Sequence, residues 1–567
     1  MRVSGLIALG GLAVLMGCSD PDVAGTDAAG SPAVESDTEL VTRAGAPLFS
    51  GMGPYHREIT TSDPGAQRYF DQGMVLAFGF NHAEAIRSFR AAQRLDPECA
   101  MCFWGEALAT GPNINVTANG KVIMAPEAQI DAYAAVQEAM ALRGNATERE
   151  RLLIEAQAVR YAPEPAEDRD PLNLAYAAAM GELNARFADD DDIAALFAEA
   201  WMNTMPWDYW SDGETPRPET VSVIEALESI LARNDEHALA LHLYIHAVEA
   251  SSRPDRAERA ADRLADLVPG SGHLVHMPSH IYWRVGRYND ASEANARAAL
   301  VDEEYIAQCN AQGFYSALYY PHNIHFLWAA SSMEGRSEVA IDAARKVADN
   351  VRLEQIEEFP MVEFFHTIPL LALVQFGRWE DLLAEPQPAS NLHYSNAIWR
   401  YARGVALANT GELDAARAEL EALASLKESD QIDFLVTRAY PASDLLDIAE
   451  ALLAGEIALA ARDLDAAISR FGQAVEIQDA LPYMEPPFWY YPTRQSLGLA
   501  LYRAERYDEA EEVYRRDLVD YPRNGWSMFG LIQSLEAQGR IAEAAEARER
   551  FETAWALADV ELMASRL

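Results

Sequence analysis

From about residue 65 to the C-terminus, apolar side chains recur every three to four positions, with polar side chains between them. This spacing is typical of amphipathic helices, which bury one face. Short polar turns separate the helical segments into pairs, so the pattern predicts an all-α chain of consecutive helix pairs. The segments that show it most clearly are 67–97, 404–416, 455–474, 498–522 and 526–545.

Turn residues mark the middle of each repeating unit in the central part of the chain. Gly286, Gly335 and Gly377 are each followed by arginine, and Pro254 occupies the same place in an earlier unit. Glycine permits the backbone bend that joins two helices. In this register about 15 additional residues fall around 301–320, and we expect them to loop out.

The segment 67–97 resembles the tetratricopeptide repeat, a 34-residue helix-turn-helix unit that stacks on copies of itself. The matching residues are Gly73, Phe80, Ala85, Phe89, Ala92 and Pro97. Short sequence motifs that resemble those of secreted bacterial tetratricopeptide proteins occur at 80–85, 99–105, 277–282 and 524–526. The resemblance covers the chain from about residue 65 and implies a tetratricopeptide-type α-solenoid that binds partners, without an established activity.

Seven histidines share three positions of the central repeats, and we call them the histidine grid. They are His242, His246, His273, His276, His280, His322 and His325. Two of the pairs are spaced four residues apart, and the second follows the first by 34 residues. Chance would place roughly 0.25 such pairs in a chain of this composition. In tetratricopeptide proteins these positions line the concave surface, so the resemblance implies that the grid faces one groove.

Imidazole at this spacing indicates a transition-metal site. Neutral imidazole is the commonest protein ligand for zinc and copper, and two of them one helical turn apart can share an ion. The predicted metal ligands are His242, His246, His276, His280 and His325; the additional groove ligands are His273, His322, Glu249, Cys99 and Cys102. The expected cofactor is copper or zinc, because the type of ligand does not distinguish between these two metals. Glu249 and Asn323 are placed to orient imidazoles.

Two other interpretations of the grid stay open. The histidines form a polar groove that binds a peptide or an anion, or they only pack. Cys99 and Cys102 also have alternatives: a disulfide or inert pair, or a metal-binding pair. No histidine follows Cys102, which excludes the usual c-type haem motif, and no nucleotide-binding loop occurs.

The helical period weakens between 161 and 235. This stretch contains Pro163, Pro165, an acidic run at 189–192 and an aromatic cluster at 201–210. We expect irregular helices with an aromatic-rich loop that packs between two halves of the solenoid. The predicted organisation is a signal peptide 1–17, a lipidated cysteine and flexible tether 18–64, N-terminal repeats 65–160, the irregular segment 161–235, histidine-rich repeats 236–390 and C-terminal repeats 391–567.

The N-terminus predicts export and lipidation. An apolar run at 6–15 follows Arg2 and is too short to span a bilayer as a helix. It ends in Leu-Met-Gly-Cys at 15–18, which resembles the lipobox of bacterial lipoproteins, so the resemblance implies lipidation of Cys18. Together with Ser19 it implies a Gram-negative cell envelope, at the outer membrane and facing the periplasm.

Charge and composition limit the partners. A net charge of −43 argues against nucleic acid and anionic lipid, so we expect membrane association through the N-terminal lipid only. One hypothesis is a lipid-anchored scaffold that binds a protein or small-molecule ligand in its concave groove, with a transition metal held by the grid. The alternative is a copper- or zinc-dependent enzyme, such as an oxidoreductase, with the grid as its active site.

Overall fold

The computed structural model describes residues 35–567 apart from 119, 310–314, 359 and 439. The predicted signal peptide and Cys18 lie outside the described residues. Their regular secondary structure is helical apart from one short antiparallel hairpin of β1 (Thr117–Ala118) and β2 (Lys121–Val122), which confirms the predicted all-α class. None of the described helices combines the length and apolar character that crossing a bilayer requires.

The helices follow one another in three groups along the chain. The N-terminal group is α1 Asp37–Ala44, α2 Pro64–Phe78, α3 His82–Leu95, α4 Ala100–Thr110, α5 Pro126–Leu142, α6 Glu148–Ala158, α7 Asp170–Arg186, α8 Asp191–Met202 and α9 Pro218–Arg233. The central group is α10 Ala238–Glu249, α11 Glu258–Leu264, α12 Gly272–His276, α13 Pro278–Arg284, α14 Tyr288–Cys309, α15 Tyr320–Met333, α16 Ser337–Asn350, α17 Leu353–Glu358, α18 Ile368–Gln375 and α19 Trp379–Ala384. The C-terminal group is α20 His393–Asn409, α21 Leu413–Lys427, α22 Asp430–Thr437, α23 Ala442–Ala460, α24 Leu464–Ala480, α25 Arg494–Arg503, α26 Tyr507–Asp520, α27 Gly525–Ala537 and α28 Ile541–Ala554.

Helices α2, α3 and α4 show how the repeats pack. Side chains of Asp63 and Asn81 cap the N-termini of α2 and α3 by accepting hydrogen bonds from backbone N–H groups. Gly73 of α2 and Gly105 of α4 face Phe89 of α3, where an added Cβ would lie 2.8 Å and 2.3 Å from the ring. Small residues therefore let neighbouring helices approach, as the repeat pattern predicts.

The predicted turns are confirmed, but the predicted insertion loop is not. Gly286, Gly335 and Gly377 have φ angles of 76°, 72° and 62°, the left-handed region in which glycine is favoured. At 301–320 the chain first extends α14 as far as Cys309 and then forms a π-helical turn at Tyr315–Tyr319. The described residues of this stretch are therefore helical.

Residues 35–64, predicted as part of a flexible tether, pack on the solenoid. The backbone N–H of Gly270 donates to the carbonyl of Gly51 at 2.9 Å. Arg57 Nη1 lies 3.0 Å from Asp190 and 2.7 Å from Asp192, and all three side chains are largely buried. These polar contacts hold the segment although its sequence lacks apolar periodicity. The flexible tether therefore stays a prediction for 18–34 only.

The segment 161–235 is more regular than its sequence indicated. Helices α7, α8 and α9 pack on their neighbours and fill most of it. Pro171 and Pro218 lie in the first turns of α7 and α9, where a missing N–H costs no helical hydrogen bond. The irregular parts are 161–169, which contains Pro163 and Pro165, and the aromatic loop 203–217.

The C-terminal repeats return to the central ones. Trp526 Nε1 donates to the carbonyl of Ser332 at 2.9 Å. The carboxylate of Asp559 accepts from the backbone N–H groups of Ser337 and Glu338 at 2.7 and 3.0 Å. Because the N-terminal segment also contacts the centre, the central repeats are covered from both ends of the chain.

Candidate metal centre

The histidine grid is buried. His242 and His246 lie in α10, and the remaining members lie in α12, α13 and α15. Six members are at most 8% exposed, and His322 is half-buried. The expectation of an open groove is therefore wrong, because side chains from distant parts of the chain cover the histidines.

Three aromatic side chains from distant segments cover the grid and its buried neighbour Glu249. Phe80, in the turn between α2 and α3, has a φ of 56° and places its ring centroid 4.6 Å from that of His242. Trp207, in the loop 203–217, lies 5.1 Å from the ring of His246. Tyr483 follows α24. Trp207 is 40% exposed and Tyr483 is 39% exposed, so this side of the cover reaches the surface.

His242, His246 and His273 form the first triad, with one ligand nitrogen from each within 4.8 Å of the others. His242 Nδ1 donates to the carbonyl of Phe78 at 2.6 Å, and His246 Nδ1 donates to Glu249 Oε1 at 2.7 Å. Since Nδ1 carries the hydrogen in both rings, both Nε2 atoms present lone pairs.

The first triad leaves its inward nitrogens without partners. Among the described residues, no hydrogen-bond partner meets Nε2 of His242, Nε2 of His246 or either ring nitrogen of His273, although all are buried. A single buried polar atom without a partner costs about 1–3 kcal/mol. Their convergence at one place therefore requires an explanation, and a bound cation supplies one.

His276, His280 and His322 form the second triad, whose ligand nitrogens also lie within 4.8 Å of one another. Asn295 Oδ1 accepts from His276 Nδ1 at 2.7 Å, and Glu249 Oε2 accepts from His280 Nδ1 at 2.7 Å. The Nε2 atoms of His276 and His280 are 2.9 Å apart.

Glu249 lies between the two triads and is fully buried. Burial disfavours its charge, but the positive charge of His280 and hydrogen bonds from His246 and His280 hold the pKa of Glu249 well below its usual range. Burial alone would lower the pKa of His280, whereas Glu249 and Glu485 raise it to about 10. Burial lowers the pKa of every first-triad histidine, so that triad is neutral, the form that binds metal.

An acidic residue from the C-terminal repeats joins this arrangement. Glu485 lies 3.3 Å from His280 Nδ1 and accepts a hydrogen bond from Tyr483, whose hydroxyl also lies 3.2 Å from Glu249. Burial raises the pKa of Glu485. With Glu249 and His280 it makes a third group of ligating atoms within 4.8 Å.

The structure separates His325 from both triads. Its ring stacks on Trp328 at 5.3 Å and lies 5.4 Å from the ring of Phe364. Burial lowers its pKa to about 3. Four residues after His325 stands Ala329, where the other units have a histidine. The structure therefore does not bring His325 together with the other predicted ligands, and its unit lacks the second member of the pair.

Three further site predictions need correction. Cys99 and Cys102 form a buried disulfide at the start of α4, so neither offers a thiolate to the grid. Asn323 donates to Asp302 at 2.7 Å instead of contacting a histidine. Asn295 takes the orienting role expected of Asn323.

Several residues that contact the triads or Glu249 were not selected from the sequence. They are Phe78, Phe80, Trp207, Asn295, Tyr483 and Glu485. Phe80 belongs to the tetratricopeptide-like spacing, which predicts packing between helices and not contact with the grid. The loop after α24 lacks apolar periodicity and lies more than 200 residues beyond α10, so no local signal could connect them.

No protein-family model matches the chain, and no match was found among curated proteins. Solved structures similar to it include yeast Tom70, with 14% identity over 87% of this chain and 92% of that chain and a TM-score of 0.27. The Cut9–Hcn1 hetero-tetramer of APC/C matches at 14% identity over 88% and 89%, with a TM-score of 0.27. A monomeric IFIT1 mutant with Gppp-AAAA matches at 12% identity over 85% and 95%, with a TM-score of 0.31. Because these TM-scores are low, the assignment of a helical-repeat fold is based on the helix pairs of this chain itself.

Proposed function

We propose that the first triad binds one zinc or copper ion and that this ion is the centre of the protein's activity. The observation that carries the proposal is the convergence of buried, unpartnered imidazole nitrogens on one point. A hydrogen-bond acceptor fixes the outer nitrogen of His242 and of His246. Such acceptors orient metal-binding imidazoles and raise their basicity.

The ligand set supports a site of catalytic type. Structural zinc sites have four protein ligands, whereas catalytic ones keep three and leave a position for water or substrate. In the described part of the chain, no fourth histidine, cysteine or carboxylate joins the first triad at the same distance. This favours a metal-dependent enzyme over a scaffold that only holds a partner.

Three neutral nitrogens suit both zinc and copper, and copper has the higher intrinsic affinity. Zinc would activate a bound water or polarise a carbonyl, while copper would support electron transfer. Half-exposed Trp207 and Tyr483 mark the side from which a substrate reaches the ion. The helical repeats act as the scaffold that holds these groups in place.

The first prediction concerns metal content. Full-length untagged protein, purified without chelating resin and reconstituted with zinc or copper, is expected to hold metal by elemental analysis. His273→Ala removes a ligand of the first triad and is expected to lose that ion. His325→Ala is the matched control, since it truncates an equally buried histidine outside both triads.

Two outcomes would overturn the metal proposal. Wild-type protein that stays empty after reconstitution would exclude the ion. Loss of metal in His325→Ala equal to that in His273→Ala, with both variants folded by circular dichroism, would show that the triad is wrongly assigned.

We also propose that the protein is anchored in a bacterial envelope by lipidated Cys18 and faces the periplasm. The support is the lipobox-like sequence at 15–18. In a Gram-negative host, wild-type protein is expected in the membrane fraction. It is also expected to incorporate a radioactive fatty acid. Cys18→Ser is expected to lose the label, and equal labelling of both would contradict the anchor.

A further inference from the structure

The second triad repeats the construction of the first, one unit further along the solenoid. Each triad combines two histidines spaced four residues apart in one unit with one histidine from the start of the next unit. For the first triad the members are His242, His246 and His273; for the second they are His276, His280 and His322. The repeat that built one set of three imidazoles has therefore built two.

The series stops at both ends for simple reasons. Leu239 stands one repeat length before His273, and Ala329 stands where a partner for His325 is needed. Neither residue can bind a metal. The structure thus carries two complete triads, and the outlying histidine is the remainder of an incomplete third.

The second triad has the geometry of ligands around a cation. Asn295 and Glu249 accept the Nδ1 hydrogens of His276 and His280, so the Nε2 atoms of both rings point inward. These two atoms are only 2.9 Å apart. A proton on His280 Nε2 satisfies this contact, and a metal ion bound by both nitrogens takes the place of that proton.

The two triads are physically joined. The ring centroids of His246 and His280 are 5.8 Å apart, and those of His273 and His276 are 5.7 Å apart. Glu249 accepts from one histidine of each triad through its two oxygens. One buried carboxylate therefore orients ligands on both sides.

We infer that the second triad binds a second zinc or copper ion, so that the two triads form a two-metal centre with Glu249 as the shared positioning residue. The inference rests on the proposed metal function of the first triad. In a two-metal site the ions can stabilise both the attacking and the leaving oxygen of a displacement reaction. Two redox-active ions can instead exchange electrons with a substrate. Half-buried His322 places the second ion nearer to solvent.

The test is the number of ions per chain. Full-length protein is stripped with a chelator, dialysed against excess zinc or copper, and measured by elemental analysis. Wild-type protein is expected to bind two ions per chain. The variants His322→Ala and His273→Ala are each expected to bind one ion. His325→Ala is expected to bind two.

The outcomes separate the two proposals. One ion in wild-type protein, unchanged in His322→Ala, would overturn the second site and leave the first; a proton then lies between His276 and His280. Two ions retained by folded His322→Ala would also overturn it. No ion in wild-type protein would overturn both proposals, and circular dichroism of each variant shows whether a loss reflects unfolding.

Discussion

Replacing Glu249 with alanine is expected to weaken metal binding at both triads, by about 10- to 100-fold at each. Its two oxygens accept from His246 Nδ1 and His280 Nδ1 at 2.7 Å. Without them both rings can rotate and become less basic, so their Nε2 atoms bind an ion less well. Competition titration against a chromophoric chelator measures the change.

Glu334 provides the matched control. It is 4% exposed and accepts from Ser292 at 3.0 Å, but it lies outside both triads. Glu334→Ala is expected to keep wild-type metal affinity. Glu249→Gln should be intermediate, because glutamine keeps one accepting oxygen and replaces the other with an NH2 group, which cannot accept from the second ring. Unchanged affinity in folded Glu249→Ala would reduce Glu249 to a packing residue.

The sequence could predict the fold because each helix pair is encoded locally. The apolar period defines the helices, and turn glycines such as Gly286 and Gly335 separate them. The same repeat made the candidate site partly predictable. Two histidine pairs one repeat apart had to lie on neighbouring helices, and Glu249 had to lie one turn beyond His246.

The rest of the site depends on long-range contacts that no local pattern reports. Phe80 reaches the first triad from the N-terminal repeats, and Glu485 reaches His280 from the C-terminal ones. Both contacts exist because the ends of the solenoid return to its centre. An exposed groove and a buried histidine cluster have the same repeat pattern, so only the tertiary structure could distinguish them.

The N-terminal segment gives the last prediction, a large loss of stability in Arg57→Ala. Arg57 pairs with Asp190 and Asp192 at 3.0 and 2.7 Å in a largely buried site. Removing one partner of a buried ion pair leaves an uncompensated charge and typically costs 3–5 kcal/mol. Arg149 and His237 still contact the two carboxylates, so we expect about 3 kcal/mol, the lower end of that range.

Urea unfolding followed by tryptophan fluorescence should show this loss, and chymotrypsin should cleave at Phe49 or Tyr55 sooner than in wild-type protein. Arg68→Ala is the control, because Arg68 forms an exposed pair with Asp37 whose contribution is about 0–1 kcal/mol. Equal stability of the two variants would mean that residues 45–62 rest on the solenoid without being held by the buried ion pairs. The predicted flexible tether would then extend into the described residues.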